Sequence, residues 1–483
     1  MRRLLLTAAV LLALGAALIG QERIDTDMLS RIRAEGLQRS RALPLFRTLT
    51  DEIGARLTGS PAHLRAARWA RDRFAEWGLS NARLEPFEFG RGWTLERISV
   101  DMTSPRYMPL SAYADAWTPS MPAVVSGRVV YIGDKTAPQV QAMAAQLKGA
   151  IVLTHLPQTL FVESDRPQPG LDDRPVQTGN PALPQIRSTT PVNDLMPILQ
   201  RAGAAAALKP SAYRDGTVGV TGNRNTATDS VPFIVIAAEQ YNMLARLAAA
   251  GQAPELRVEL RTRYQEEDRN SYNVIAEIPG RDPALRDEIV LVGAHLDSWH
   301  TGIGATDNAD GAAPVMEAMR ILTALKAQPR RTIRVALWSG EEQGLLGARA
   351  YVAGLSEADR NRLAVYLNDD PGSGRTLGFY MEGNAAARSI FDAWLAPLRD
   401  LGMTRNVIES IGSTDHVPFN EAGLPGFNAI KDFDAYDERT RHTNADFPER
   451  MSEDELTQSA IVMAAFAWQA ATRNEKIPRT LRR

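Results

Sequence analysis

Three short apolar runs in the second half of the chain, Ile289 to Ala294 (IVLVGA), Ile333 to Trp338 (IRVALW) and Leu363 to Leu367 (LAVYL), lack the alternation of a half-exposed strand. Strands buried on both faces of a parallel sheet read this way, because helices cover both sides. Between the first two runs, Gly311 to Ala327 sets Val315, Met316, Met319, Leu322 and Leu325 at helical spacing. The order is strand, helix, strand. It predicts an α/β chain with a mostly parallel central sheet flanked by helices.

Open parallel sheets bind ligands in the crevice beyond the carboxyl ends of their strands. His295 and Asp297, Asp307, Glu341 and Glu342, and Asp370 stand at or shortly after such ends, and His442 follows farther along. Imidazole and carboxylate donors suit zinc, whose catalytic sites keep one position open for water. Each residue also has a plainer role. A lone histidine after a strand commonly sits on the surface or caps a helix, and paired glutamates favour a helix N-terminus through the macrodipole. Against this, four of the six histidines, His295, His300, His416 and His442, fall in or beside these segments. From position alone Asp369 qualifies as well as Asp370. Asp310, before Gly311, fits a helix cap.

These segments resemble a known family, the co-catalytic di-zinc aminopeptidases and glutamate carboxypeptidases. The matching stretches are HLDSW at 295 to 299, ATDNADG at 305 to 311, WSGEEQGLLGA at 338 to 348, NDDPGS at 368 to 373, STDHVPF at 413 to 419 and RHTNAD at 441 to 446, in the family's order. The plasma glutamate carboxypeptidase subgroup gives the nearest pattern, over almost the whole chain after its first residues. The resemblance implies a mixed, mostly parallel sheet of zinc-exopeptidase type and two Zn2+ per chain. It assigns His295 and Asp370 to one metal, Glu342 and His442 to the other, and Asp307 to both. It selects Asp370 over Asp369, and gives Asp297 the task of orienting the His295 ring from behind. Glu341 becomes the general base and then acid for a hydroxide bridging two metals roughly 3.5 to 4 Å apart. A cis peptide is expected between Asp307 and Asn308.

Departures and open positions follow from the same comparison. His300 replaces an acidic residue of the subgroup, a difference that bears on a substrate contact. Arg441 stands where some relatives carry a tyrosine that stabilises the oxyanion; it offers charge to that oxyanion or simply faces solvent, and Tyr436 is a weaker alternative. Asp415 and His416 lie in a stretch that resembles a substrate-pocket loop, or form a polar turn before Pro418.

The first 20 residues pair Arg2-Arg3 with an apolar run from Leu4 to Ile19, the pattern of a secretory signal rather than a stable membrane span, with an uncleaved anchor as the alternative. The chain has no cysteine, which removes disulfides, thiolate ligands and a cysteine nucleophile. Export without disulfides fits a bacterial periplasm or exterior. A chain of 483 residues can bury an adequate core without such staples. A net charge of -2 argues against nucleic acid and anionic membrane as partners.

Residues 21 to 117 are expected to begin the catalytic domain. Its stretch Asp51 to Gly78 is amphipathic and resembles helices that pack on the family's sheet, with Arg56 and Ser60 as caps or ion-pair residues. Residues 118 to 260 resemble an inserted, smaller protease-associated β/α domain, with strands and Ala-rich helices around 127 to 134, 148 to 155, 201 to 210 and 231 to 240. The segment 157 to 190, rich in Pro, Asp, Gln and Arg, is expected to be a long exposed loop. The insert shapes access to the cleft or acts as a spacer. Residues 261 to 483 carry the catalytic metallopeptidase domain, ending in a helix that Ser452 and Glu455 open with a capping box.

The expected function is a secreted di-zinc exopeptidase acting on dipeptides or short peptides. Hydrolysis of a non-peptide amide at the same site is one alternative, and a non-enzymatic receptor-like binding protein another, which the intact ligand set opposes. Arg375, Arg439 and Arg441 are the candidates for holding a substrate carboxylate. Which terminus is read stays open. The resemblance also raises a homodimer.

Overall fold

The computed structural model describes residues 22–170 and 184–479. The proposed signal segment and part of the 157 to 190 loop fall outside them. Among the described residues no helix is long and apolar enough to cross a membrane.

The three apolar runs form strands Ile289–His295, Thr332–Trp338 and Leu363–Asn368, and the helical pattern forms helix Asp310–Ala324. Gly426–Lys431 joins them as a fourth parallel strand. Antiparallel strands Asn270–Ile278 and Ser80–Glu88 extend one side, and Thr376–Tyr380 closes the other, giving a mixed seven-stranded sheet. Helices Asp310–Ala324, Pro61–Glu76 and Glu453–Thr472 bury apolar faces in one continuous core with this sheet. Each fully buried Leu, Ile, Phe or Met in such a core contributes roughly 1.5–3 kcal/mol relative to exposure. Ser452 and Glu455 make the expected reciprocal capping box, and Ser60 caps Pro61–Glu76 by accepting from the His63 amide.

A second, eight-stranded sheet packs its own core. Strands Val125–Tyr131, Ile151–Leu153, Ala206–Pro210 and Phe233–Ile236 lie in the segments expected of the insert. The long antiparallel pair Gly92–Ser104 and Glu255–Gln265, with Met108–Pro109 and Ala112–Ala114, belongs to the same sheet and reaches beyond 118 to 260 at both ends.

Candidate metal centre

Because strands Thr332–Trp338, Ile289–His295 and Leu363–Asn368 are neighbours in parallel register, the residues after them gather at one rim. His295 ends its strand, Asp370 comes two residues beyond Asn368, and Glu341 and Glu342 follow Trp338 in the next turn. Asp307 sits before helix Asp310–Ala324, with its peptide to Asn308 cis, as expected.

The donor atoms form two clusters that share one carboxylate. His295 Nε2 is 3.2 Å from Asp307 Oδ1 and 3.5 Å from Asp370 Oδ1. His442 Nε2 is 3.3 Å from Asp307 Oδ2 and 2.9 Å from Glu342 Oε2. Each set, His295 with Asp307 and Asp370 and Asp307 with Glu342 and His442, brings its ligand atoms within 4.8 Å of one another. The electrostatics call for positive charge here. Burial alone would lower the imidazole of His442, yet Glu342 beside it and its contact with Asp307 push it up to about 9. Buried Glu342 Oε1 has no hydrogen-bond partner among the described residues. One imidazole and two carboxylates per cluster, without thiolate, is a donor set that fits zinc. The residues therefore accommodate two divalent ions.

Glu341 adjoins the His295 cluster, its Oε2 3.9 Å from His295 Nε2, and lines the same cleft as the second cluster. Burial raises its carboxyl well above the ordinary range; His295 opposes that rise, while Asp370, Glu342 and Asp415 add to it. The cleft above holds ≈ 550 Å³ and is lined by the five donor residues, Glu341, Tyr436 and Arg441, with Ser413 and Val417 at its margin. That volume suits a small ligand.

Several side chains stand elsewhere than the sequence suggested. The Asp297 carboxylate is 3.6 Å from His295 Nδ1, too far for a hydrogen bond, and the Asp297 backbone carbonyl takes that place at 3.0 Å. The carboxylate accepts instead from Thr58 Oγ1 at 2.8 Å and from the amides of Glu341 and Glu342 at 3.3 Å, so it fixes the turn that carries both glutamates. Asp310 makes no cap; Asn308 Oδ1 accepts from the Gly311 amide, and Asp310 lies 3.7 Å from Lys431. Asp369 also faces Lys431, at 3.5 Å, while its neighbour Asp370 faces His295.

His300 is a correction: it does not line the cleft but turns to the second sheet, 2.8 Å from the Ala114 carbonyl and edge-on to Trp93. Asp415 and His416 are buried behind the rim, His416 3.1 Å from Glu382, and only Ser413 and Val417 of that segment reach the cleft. Arg375 and Arg439 are exposed and line no part of it. Among the described residues Arg56 forms no ion pair; fully buried, it donates to the carbonyls of Leu49, Gly54, Leu296, Ile303 and Gly304, tying these backbone segments together.

Tyr436, ranked low from sequence, is fully buried and donates to Asp307 Oδ2 at 2.9 Å. It, Arg441 and His442 belong to a loop that the second sheet's connections hold. Tyr213 Oη donates to the Arg441 carbonyl at 3.0 Å, and the Val220 amide to that of His442, also at 3.0 Å. Arg166 grips Asp437 with two nitrogens at 2.6 Å each. The tyrosine's hydroxyl contact has no local sequence signature. Its nearness to His442 was the available signal.

Residues 273–467 match peptidase family M28. Carboxypeptidase Q of Mus musculus is 26% identical over 452 residues, covering 92% of this chain and 88% of that protein. Carboxypeptidase Q of Rattus norvegicus is 27% identical over 451 residues with the same coverage. Among solved structures, a peptidase M28 precursor from Shewanella amazonensis superposes with a TM-score of 0.71 at 25% identity, covering 94% of this chain and 99% of that one. A zinc aminopeptidase from Bacillus subtilis shares the fold, with a TM-score of 0.61 at 20% identity over 90% of this chain and 95% of that one.

Proposed function

We propose that this di-zinc metallo-exopeptidase, whose residues 273–467 match peptidase family M28, releases single residues from dipeptides or short peptides, with Glu341 as general base and acid. The observation that carries this reading is the pair of clusters sharing Asp307, with Glu341 on the cleft that both line. His295 and Asp370 would hold one ion, Glu342 and His442 the other, and Asp307 both. Zinc held there supplies Lewis acidity, acidifying water and polarising the scissile carbonyl.

The protein's own part is proton transfer and position. Glu341 takes the proton of the attacking water and gives it to the leaving amine nitrogen. Asp297 fixes the turn bearing Glu341 and Glu342, and Tyr436 fixes Asp307. Residues 118 to 260, within the eight-stranded body, are assigned the part of a protease-associated insert that shapes the cleft, and the N-terminal segment that of an export signal.

The test is metal content together with hydrolysis of free, N-acetylated and C-amidated dipeptides, with Glu341→Gln as control. Two zinc ions per chain and activity lost in the variant are expected. Protein that binds no zinc and stays inactive after zinc is added would sink the peptidase reading in favour of a binding protein. Activity on acylated amino acids alone would turn it into an amide hydrolase.

A further inference from the structure

We infer that Arg441 reads the free C-terminal carboxylate of the substrate, which makes dipeptides and other short peptides with an unblocked C terminus the preferred class. The inference rests on the peptidase reading above and specifies its substrate.

Arg441 lines the cleft beside the donor residues and is only 8% exposed. A guanidinium so enclosed is normally tied to carboxylates or carbonyls, since an unpaired buried charge is costly. Among the described residues Arg441 makes no side-chain hydrogen bond or ion pair; its bonded atoms are the carbonyl that Tyr213 holds and the amide that reaches Tyr436. Arg349, the other arginine on the cleft, is spoken for by Glu421 at 2.6 Å. Buried Arg166, nearby, is paired with Asp437. Arg441 is therefore held in place by its backbone while its five donors stay available.

Charge balance points the same way. The cleft is lined by four carboxylates, Asp307, Glu341, Glu342 and Asp370. Two divalent ions neutralise these four charges whichever group carries the water's proton. Arg441 then leaves one positive charge over, which an anionic substrate group would match. Reach agrees as well. In a dipeptide the terminal carboxylate lies one residue, about 3.5 Å, beyond the scissile carbonyl. Arg441 lines the same cleft as His442, whose Nε2 touches Asp307 and Glu342. A planar guanidinium also suits a two-pronged hold on carboxylate.

The test uses two non-hydrolysable dipeptide analogues with a reduced peptide bond, identical except for a terminal carboxylate or carboxamide. Their dissociation constants are measured by calorimetry on zinc-loaded wild type, Arg441→Lys and Arg441→Met, beside kcat/KM for the matching hydrolysable pair. Wild type should bind the acid roughly 10- to 100-fold tighter than the amide. Arg441→Met should erase that ratio by weakening the acid, and Arg441→Lys should keep part of it. Because the ratio is taken within each variant, partial unfolding cancels. No discrimination in wild type overturns the inference. So does an Arg441→Met variant that loses acid and amide equally, the signature of oxyanion stabilisation. Protein that cleaves neither peptide yet still prefers the acid analogue would defeat the peptidase reading and leave Arg441's role standing.

Discussion

His295, Glu341 and Asp370 stand zero, three and two residues past the ends of three adjacent parallel strands, whereas His442 rides a loop eleven residues beyond Lys431. Sheet hydrogen bonds hold the first group. The second depends on partners from another body: Tyr213 and Val220 on the backbone at 441 and 442, Arg166 on Asp437, and Asp165, which accepts from the amides of Ala435 and Glu438 at 2.6 and 3.0 Å. His442 itself has φ +57°, a left-handed conformation that costs a non-glycine residue roughly 1–2 kcal/mol. Its neighbours must hold it there. One rim of the cleft is thus built into the catalytic sheet, and the opposite rim is borrowed.

The largest effect tests the built-in rim. Glu341→Gln keeps the side chain's size and should leave two zinc ions bound while lowering kcat by roughly 10²- to 10⁴-fold. If zinc is lost as well, Glu341 is a ligand and the division of labour at the rim is wrong. Next comes the borrowed rim. Arg166 and Asp437 have side chains 6% and 1% exposed, and removing one partner of such a pair costs about 3–5 kcal/mol. Asp437→Ala should weaken zinc on the Glu342–His442 side first and raise hydrogen exchange at Val220 and Asn444. Retention of both ions at unchanged affinity would mean that the loop stands without the brace.

The same contrast explains what could be read from the sequence. Buried parallel strands announce themselves as apolar runs, and polar residues directly after them are found by position, so His295, Glu341 and Glu342 were legible, whereas Asp370 was separated from Asp369 only by the family resemblance. Strand Gly426–Lys431 was not, because it buries Asn428 and Lys431, whose partners Asn368, Asp310 and Asp369 are remote in sequence. His300 misled for the opposite reason: five residues after His295, it is close along the chain, but the backbone has already turned to the second sheet. That sheet's outer strands at 92 to 104 and 255 to 265 pair across more than a hundred residues, a relation no local pattern carries. The direction of Tyr436, and the backbone carbonyl that replaces the Asp297 carboxylate at His295, are properties of packing alone.

Acid unfolding sharpens the comparison between the two bodies. Burial pulls His63, beneath the rim at Ser339, and His155, in the second sheet, down to about 4. Their unfolded forms take up a proton nearer pH 6.5, so between there and pH 4 each of these two histidines binds more protons in the unfolded chain, while carboxyls raised by burial, such as Asp446 at about 7, act in the opposite sense. Each histidine's own contribution to stability should therefore fall as pH drops through that window, by about 1.4 kcal/mol per pH unit at most. Calorimetry of chelated wild type and His155→Asn should show one transition in each, with the variant's midpoint gaining on that of wild type as pH drops. Two separate transitions would mean that the bodies unfold independently.

The smallest change is the most pointed. Tyr213→Phe deletes one hydroxyl, which donates to the Arg441 carbonyl from a fully separate part of the chain, and leaves the ring's packing in place. A single neutral hydrogen bond is worth about 1 kcal/mol. If the second body merely covers the cleft, that loss stays in overall stability and the enzyme's constants do not move. If it positions the borrowed rim, KM for a free dipeptide rises several-fold while kcat changes little, because the built-in rim is untouched. Steady-state kinetics on Tyr213→Phe beside its thermal midpoint separates the two, and an unchanged KM with a lowered midpoint would reduce the second sheet to scaffold.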